Sequence, residues 1–513
     1  MLSKVLSSAV VGIEAYGVEV EVDIANGLPA FNIVGLPDAA CRESQDRVRA
    51  AVKNSGFPFP SKKITVNLAP ADLKKEGSAY DLAIAIGILT ANEIIPHEAV
   101  KGKIFCGELS LDGKVRGVPG ILPRAAAVLE ENPKKDFFIP SVNVREALCV
   151  NGITVYAVDD LLQLIQYLRN EIKLEPAKGV PNNPAQIVSQ DRHLDFSDIK
   201  GQLHAKRGLE IAAAGGHNVI MIGPPGAGKT MLAKRIPGIL SSIAFNEAVE
   251  TTKIHSVAGL VSQKSALLST RSFRDPHHTI SAVAMVGGGP SPKPGEVSLA
   301  HHGVLFLDEL AEFRRNVLEV LRQPLEEGKI TISRASFTYT FPARFMLVAA
   351  MNPCPCGYFT DPKKECNCTC VQIKNYMSKI SGPLLDRIDI QLEVPCLKVG
   401  EITQKSKGES SSLIRERVEK ARSLQRERYS SEKISSNAEL EPKQLEKYCA
   451  VSEEGEGLLK MAIQELGFSA RAYHKSIKVA RTIADLEGSE TIEAAHVSEA
   501  IHYRTLDRSI WFR

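Results

Sequence analysis

The stretch Val219-Ile-Met-Ile-Gly-Pro-Pro-Gly-Ala-Gly-Lys-Thr230 decides how this chain reads. Its four leading apolar residues form a short run of the kind that fills a buried strand. A glycine-rich loop follows at once, and Met231 to Ile236 begins a helix. The loop consists of Gly223, Pro224, Pro225, Gly226, Ala227, Gly228, Lys229 and Thr230. This is the G-x-x-x-x-G-K-[ST] pattern in its strand-to-helix setting. Glycines at 226 and 228 let backbone N–H groups turn inward around a triphosphate, and the helix N-terminus adds partial positive charge. Lys229 is expected to reach the β- and γ-phosphates and Thr230 to offer its hydroxyl to Mg2+. ATP and Mg2+ are therefore the expected cofactors. A chance glycine-rich turn is the competing explanation, and it leaves the flanking strand and helix unaccounted for.

Three further stretches extend the pattern. Gly303-Val-Leu-Phe-Leu-Asp308-Glu309 is a buried strand that ends in two carboxylates, at the strand end where parallel sheets bind ligands. Asp308 would hold Mg2+ and Glu309 would polarise the attacking water. Phe345 to Ala350 is a third strand, ending at Met351-Asn352. An amide there suits a sensor that positions the water. In Ser381-Gly-Pro-Leu-Leu-Asp386-Arg387-Ile388-Asp389, Arg387 suits an arginine finger supplied by a neighbouring subunit. A salt bridge with Asp386 or Asp389 is its plain alternative.

The bulk composition bounds rather than decides. The chain has 513 residues, 44% hydrophobic and 24% charged, with a net charge of +3. Such a balance suits a globular protein, and any basic surface for nucleic acid has to be local. There is no run of about 18 apolar residues and no secretory signal, so a cytoplasmic protein without a membrane partner is expected. Residues 1–168 read as mixed strands and helices, with strands at Val18–Ile24 and Lys63–Leu68 and helices at Asp46–Asn54 and Tyr80–Thr90. Residues 169–194 read as a linker rich in proline and asparagine. Residues 195–400 carry the strand–loop–helix pattern, and residues 401–513 read as helical.

Half of the ten cysteines lie in Asn352-Pro-Cys-Pro-Cys-Gly-Tyr-Phe-Thr-Asp-Pro-Lys-Lys-Glu-Cys-Asn-Cys-Thr-Cys370. Cys354, Cys356, Cys366 and Cys368 form two C-x-C pairs that can supply four thiolates to a structural Zn2+. Cys370 is a spare thiol or a replacement ligand. A redox switch is the alternative use of the cluster.

In this order, the four ATPase elements resemble an AAA+ ATPase. The chain resembles more closely the magnesium-chelatase-like YifB/ComM family. GLPDAACRESQDRVRAAVKNSGFPFP (35–60), NLAPADLKKEGSAYDL (67–82), RSFRDPHHT (271–279), FLDELAEF, NPCPCG and SGPLLDRIDI carry that resemblance over nearly the full length. It implies an α/β architecture in three parts: an N-terminal Lon-protease-like α+β domain, a central AAA+ core and a C-terminal helical lid. It also implies a homo-hexameric helicase that drives branch migration of DNA during natural transformation. Arg471, in Phe-Ser-Ala-Arg-Ala (468–472), would be the lid's sensor arginine. Aligned with the Lon-type peptidase, the serine position falls on Ala79 and the lysine position on Leu122, with Ser78 one place away. A Ser–Lys dyad needs both groups within hydrogen-bond reach, so the N-terminal domain is expected to be catalytically dead and to serve as a DNA- or partner-binding collar.

Two segments are candidates for touching single-stranded or branched DNA. The first is the insertion Phe273 to Gly289 and beyond, where Arg274 and Lys293 would meet phosphates. Its adjacent His277 and His278 are wrongly spaced for two metal ligands from one helix face. The second is Glu327 to Phe341, which reads as a β-hairpin turning around Arg334-Ala335-Ser336, with Lys329, Arg334 and Arg344 as phosphate contacts. A solvated surface loop is the plain reading of each segment. The same ATPase residues also suit a protein-remodelling ATPase of the chelatase type.

Overall fold

Apolar and polar residues alternate from Glu14 to Ala25, and that alternation builds a strand with one face packed and one face wet. It pairs antiparallel with Leu2–Val11 on one side and Lys63–Ala69 on the other. The sheet grows to seven strands, in the order Ala30–Val34, Lys63–Ala69, Glu14–Ala25, Leu2–Val11, Lys103–Phe105, Asp136–Pro140, Thr154–Val158. The helix expected at Asp46–Asn54 begins seven residues earlier, at Ala39, because the Asp38 carboxylate accepts the Cys41 N–H at 2.8 Å and caps it. Helix Asp81–Ala91 is buried on every side, as its unbroken apolar sequence requires. The computed structural model describes residues 1–131, 135–178, 194–261, 267–289, 292–333, 338–359, 361, 364–397, 408–432 and 434–504. Most of the expected linker, residues 179–193, lies outside the described residues, as does Arg334.

Val219–Ile222, Val304–Leu307 and Met346–Met351 are buried at every position. Continuous apolar strands of this kind belong in a parallel sheet covered on both faces. They form one, in the order Phe273–Arg274, Val304–Leu307, Met346–Met351, Val219–Ile222, Ile390–Glu393, with every neighbouring pair parallel. The first of these strands in the chain therefore stands between the last two, and a crevice opens at that reversal, at the carboxyl ends. Lys329–Ser333 and Thr338–Pro342 form the expected antiparallel hairpin.

From Ser411 onward the described regular structure is helical, and helices Ser411–Arg428 and Ala470–Glu487 share one apolar cluster with the parallel sheet. A buried ion pair pins this contact: Lys475 Nζ lies 2.7 Å from Asp389 Oδ1. Burial opposes charge on Asp389, but Lys475 and His217 prevail and hold its carboxyl well below the usual carboxylate range. The Asn218 N–H also donates to Asp389, at 2.9 Å. Asp389→Asn leaves the half-buried Lys475 without its counter-charge, and a loss of about 2–3 kcal/mol is expected in denaturant unfolding. A loss under about 1 kcal/mol would show that water replaces the pair.

The N-terminal sheet docks on the parallel-sheet unit through helices Ile121–Glu131 and Phe245–Val257. Glu146 accepts the Leu122 N–H at 2.8 Å and the Ser256 hydroxyl, and the Gly120 N–H donates to the Ser256 carbonyl at 3.1 Å. Ala79 and Leu122 are both buried. The Ser78 hydroxyl donates to Glu108, while the buried Lys75 amine donates to the Pro70 carbonyl.

Candidate nucleotide site

Motifs about 80 to 120 residues apart in sequence meet at the carboxyl edge of the parallel sheet. Gly226 and Gly228 take left-handed φ values of +77° and +94°, and a Cβ on either would meet nothing within 4 Å. The loop is therefore open at both glycines, as a phosphate cradle needs to be. Gly223 serves a different need, since a Cβ there would lie 2.0 Å from the Val394 carbonyl oxygen.

Lys229 lies across this cradle, donating to the Gly223 and Pro224 carbonyls at 2.7 and 3.0 Å and to Asn352 Oδ1 at 3.1 Å. Burial pulls its ammonium below the ordinary lysine value, against the attraction of Asp308. The Thr230 hydroxyl donates to Asp308 Oδ2 at 2.7 Å. These two oxygens would stand about 3 Å apart on an octahedral Mg2+ with metal–oxygen distances of about 2.1 Å, so the donor set fits that ion with little movement. Glu309 occupies the left-handed region at φ +52°, and its exposed carboxylate lies 3.6 Å from His278 Nδ1. His278 thus takes part as a neighbour of the expected base and not as a metal ligand.

The cysteine cluster is closed. Four sulfurs, of Cys354, Cys356, Cys366 and Cys368, lie within 4.8 Å of one another, with separations of 3.3, 3.7 and 3.5 Å among the first three. Zinc at about 2.3 Å from each sulfur spaces them about 3.8 Å apart. The set fits a tetrahedral Zn2+, and those separations are far longer than a disulfide bond. Cys370 is exposed, starts helix Cys370–Met377 and stands outside the four. A second convergent group joins Glu250 to His301 and His302 at 3.3 and 3.2 Å. His301 Nδ1 accepts the Arg344 N–H at 3.0 Å. The proton of the neutral ring therefore sits on Nε2, which in that tautomer cannot ligate a metal.

Arg387 and Arg471 lie together, remote from the phosphate loop of the same chain. Arg387 Nη1 donates to the Pro383 carbonyl at 2.5 Å, and Arg387 Nη2 pairs with Glu326. Arg471 lies 4.0 Å from Glu326 and 3.8 Å from Asp386. All four residues line a cavity of about 1000 Å³ that also includes Asn218, at the amino end of the phosphate-loop strand. The plain alternative for Arg387, an ion pair with Asp386 or Asp389, is replaced by Glu326, which the sequence did not flag. Arg471 does not reach its own chain's loop from this position.

The DNA candidates divide. Arg274 is bound through two nitrogens to Glu296 at 2.6 and 2.8 Å, which neutralises it and takes it out of the set of free phosphate contacts. Arg344 stands at the base of the hairpin, 3.7 Å from Glu439 and inside the arginine cavity, away from any hairpin tip. Lys293 and Lys329 are exposed.

Residues 195–402 match the family profile described as magnesium chelatase, subunit ChlI. Residues 20–143 match subunit ChlI of Mg-chelatase, and residues 408–504 match its C-terminal part. Over 510 residues the chain is 46% identical to competence protein ComM of Haemophilus influenzae, covering 99% of this chain and 98% of that one. It belongs to the YifB/ComM family of magnesium-chelatase-like proteins. A second member of the YifB/ComM family, the uncharacterized protein YifB of Escherichia coli, is 44% identical over 508 residues, covering 99% and 98%. Lon protease 2 of Bacillus subtilis matches only in part, at 32% identity over 157 residues, 29% of this chain and 28% of that one. Among the described residues no helix is long and apolar enough to cross a membrane.

Proposed function

We propose that this YifB/ComM protein is an AAA+ ATPase that works as a cytoplasmic homo-hexamer on single-stranded and branched DNA, promoting branch migration of recombination intermediates during natural transformation. The observation that carries the ATPase reading is the meeting of Lys229, Thr230, Asp308 and Asn352 over an open glycine cradle. The loop N–H groups and Lys229 bind the β- and γ-phosphates, while Thr230 and Asp308 hold the Mg2+, which neutralises developing charge when bound. Asn352 orients a water, and the Glu309 carboxylate accepts its proton as the water oxygen bonds to the γ-phosphorus and the bond from that phosphorus to the β–γ bridging oxygen breaks, releasing ADP and phosphate. Arg387 and Arg471, turned away from their own loop, serve the nucleotide of the next subunit. The helices between Ser411 and His502 serve as the lid. Zn2+, held by Cys354, Cys356, Cys366 and Cys368, is structural.

The DNA reading rests on likeness to a competence protein along the full chain. The dead peptidase reading of the N-terminal domain is supported by the Ser78 hydroxyl, which meets a carboxylate and no amine. A protein-remodelling ATPase of the chelatase type is the second reading, favoured by the neutralisation of Arg274 on Glu296. The two separate on one measurement. ATP turnover is expected to rise several-fold with single-stranded or forked DNA, and DNA binding is expected to weaken steeply with salt. No stimulation and no salt-sensitive binding would leave the remodelling ATPase as the function. Displacement of a strand from a three-strand junction then tests branch migration itself.

A further inference from the structure

The cysteine turn and the phosphate loop touch each other, and the contact is too close for any side chain. Gly357 stands at φ +84°, and a Cβ on it would lie 2.6 Å from Pro225 Cδ and 3.8 Å from Asn352 Cγ. Pro225 is the third residue of the loop, and Asn352 is the residue that receives the Lys229 amine. Turn and loop are therefore joined twice, through the chain Asn352-Pro353-Cys354 and through the Gly357–Pro225 contact. The turn is wound tightly on its own first ligand. The Gly357 N–H donates to the Cys354 carbonyl at 3.0 Å, the Phe359 N–H donates to Cys354 Sγ at 3.3 Å, and Cys354 is fully buried. Releasing the four sulfurs would free both ends of this arrangement.

We propose that the four-cysteine turn is a positioning element of the phosphate loop: held closed on one divalent ion, it seats Pro225 on Gly357 and fixes Asn352 beside Lys229, so that metal occupancy and nucleotide affinity are linked. This rests on reading the loop as an ATP site. Linkage is reciprocal, so the factor by which metal loss weakens nucleotide binding equals the factor by which bound nucleotide tightens the metal.

The test uses the full chain loaded with zinc. Affinity for a fluorescent ADP analogue is read alongside zinc release into a chromogenic chelator. Gly357→Ala is expected to keep its zinc and to weaken ADP binding about tenfold, from left-handed strain and the displaced proline. Adding Pro225→Ala removes the colliding atoms and is expected to recover part of that loss, which a general loss of structure would not allow. In the unmutated chain, chelation of zinc is expected to weaken ADP binding, and saturating ADP is expected to tighten zinc affinity, read by equilibrium competition with the chelator, by the same factor. Undiminished ADP affinity in zinc-retaining Gly357→Ala overturns the inference. If Gly357→Ala sheds its zinc, the chelation experiment on the unmutated chain decides, and unchanged ADP affinity there overturns it as well. An unmutated, zinc-loaded chain that binds no adenine nucleotide overturns the ATP reading itself.

Discussion

Glu309→Gln is expected to lower the rate of ATP hydrolysis by about 10²–10⁴-fold while leaving nucleotide affinity within a few-fold of the unmutated chain. The reason lies in geometry. The carboxylate follows the strand that ends at Leu307, on the same edge as the loop, yet makes none of the contacts that hold Lys229 or Thr230. It lies 3.6 Å from His278 Nδ1. Removing its charge therefore takes away the proton acceptor and spares the phosphate cradle. Single-turnover hydrolysis and ADP-analogue binding, measured side by side, check both halves. An unchanged hydrolysis rate would remove Glu309 from the mechanism.

Arg387→Ala carries an effect of similar or greater size, a fall in kcat of about 10³-fold or more. Arg387 pairs with Glu326 at the amino end of the sheet, so on the proposed reading the deficit is expected at the neighbour's nucleotide. Mixing supplies the check. Lys229→Ala and Arg387→Ala chains are each expected to be inactive alone. Together they are expected to regain turnover, the intact loop of one meeting the intact arginine of the other. An Arg387→Ala chain that turns over at the unmutated rate would end the finger reading. Absence of recovery on mixing would end its assignment to the neighbour.

The ATP site was legible in the sequence because its chemistry is local: a glycine loop, a strand ending in acids and a strand ending in an amide each announce themselves within about ten residues. The cysteine cluster was legible for the same reason, although only the structure removed Cys370 from it. Contacts between distant residues were not legible. Glu326 sits 61 residues from the arginine it holds, and no local pattern marks it. The neutralisation of Arg274 by Glu296 was hidden in the same way, as was the seat of Gly357 on Pro225. Arg471 and Lys475 are four apart on a helix and share a face, but only the structure shows that this face meets Asp389 and Asp386.

Glu146 holds the Leu122 N–H with one side of the chain's architecture and the Ser256 hydroxyl with the other. Leu122 is buried in helix Ile121–Glu131, and Ser256 lies at the end of a helix whose Thr251 hydroxyl and Glu250 carboxylate contact the residues leading into the acidic strand. The consequence is mechanical. Should hydrolysis tilt the core, the Glu146 bridge and the Gly120–Ser256 hydrogen bond would pass that tilt on to the N-terminal sheet.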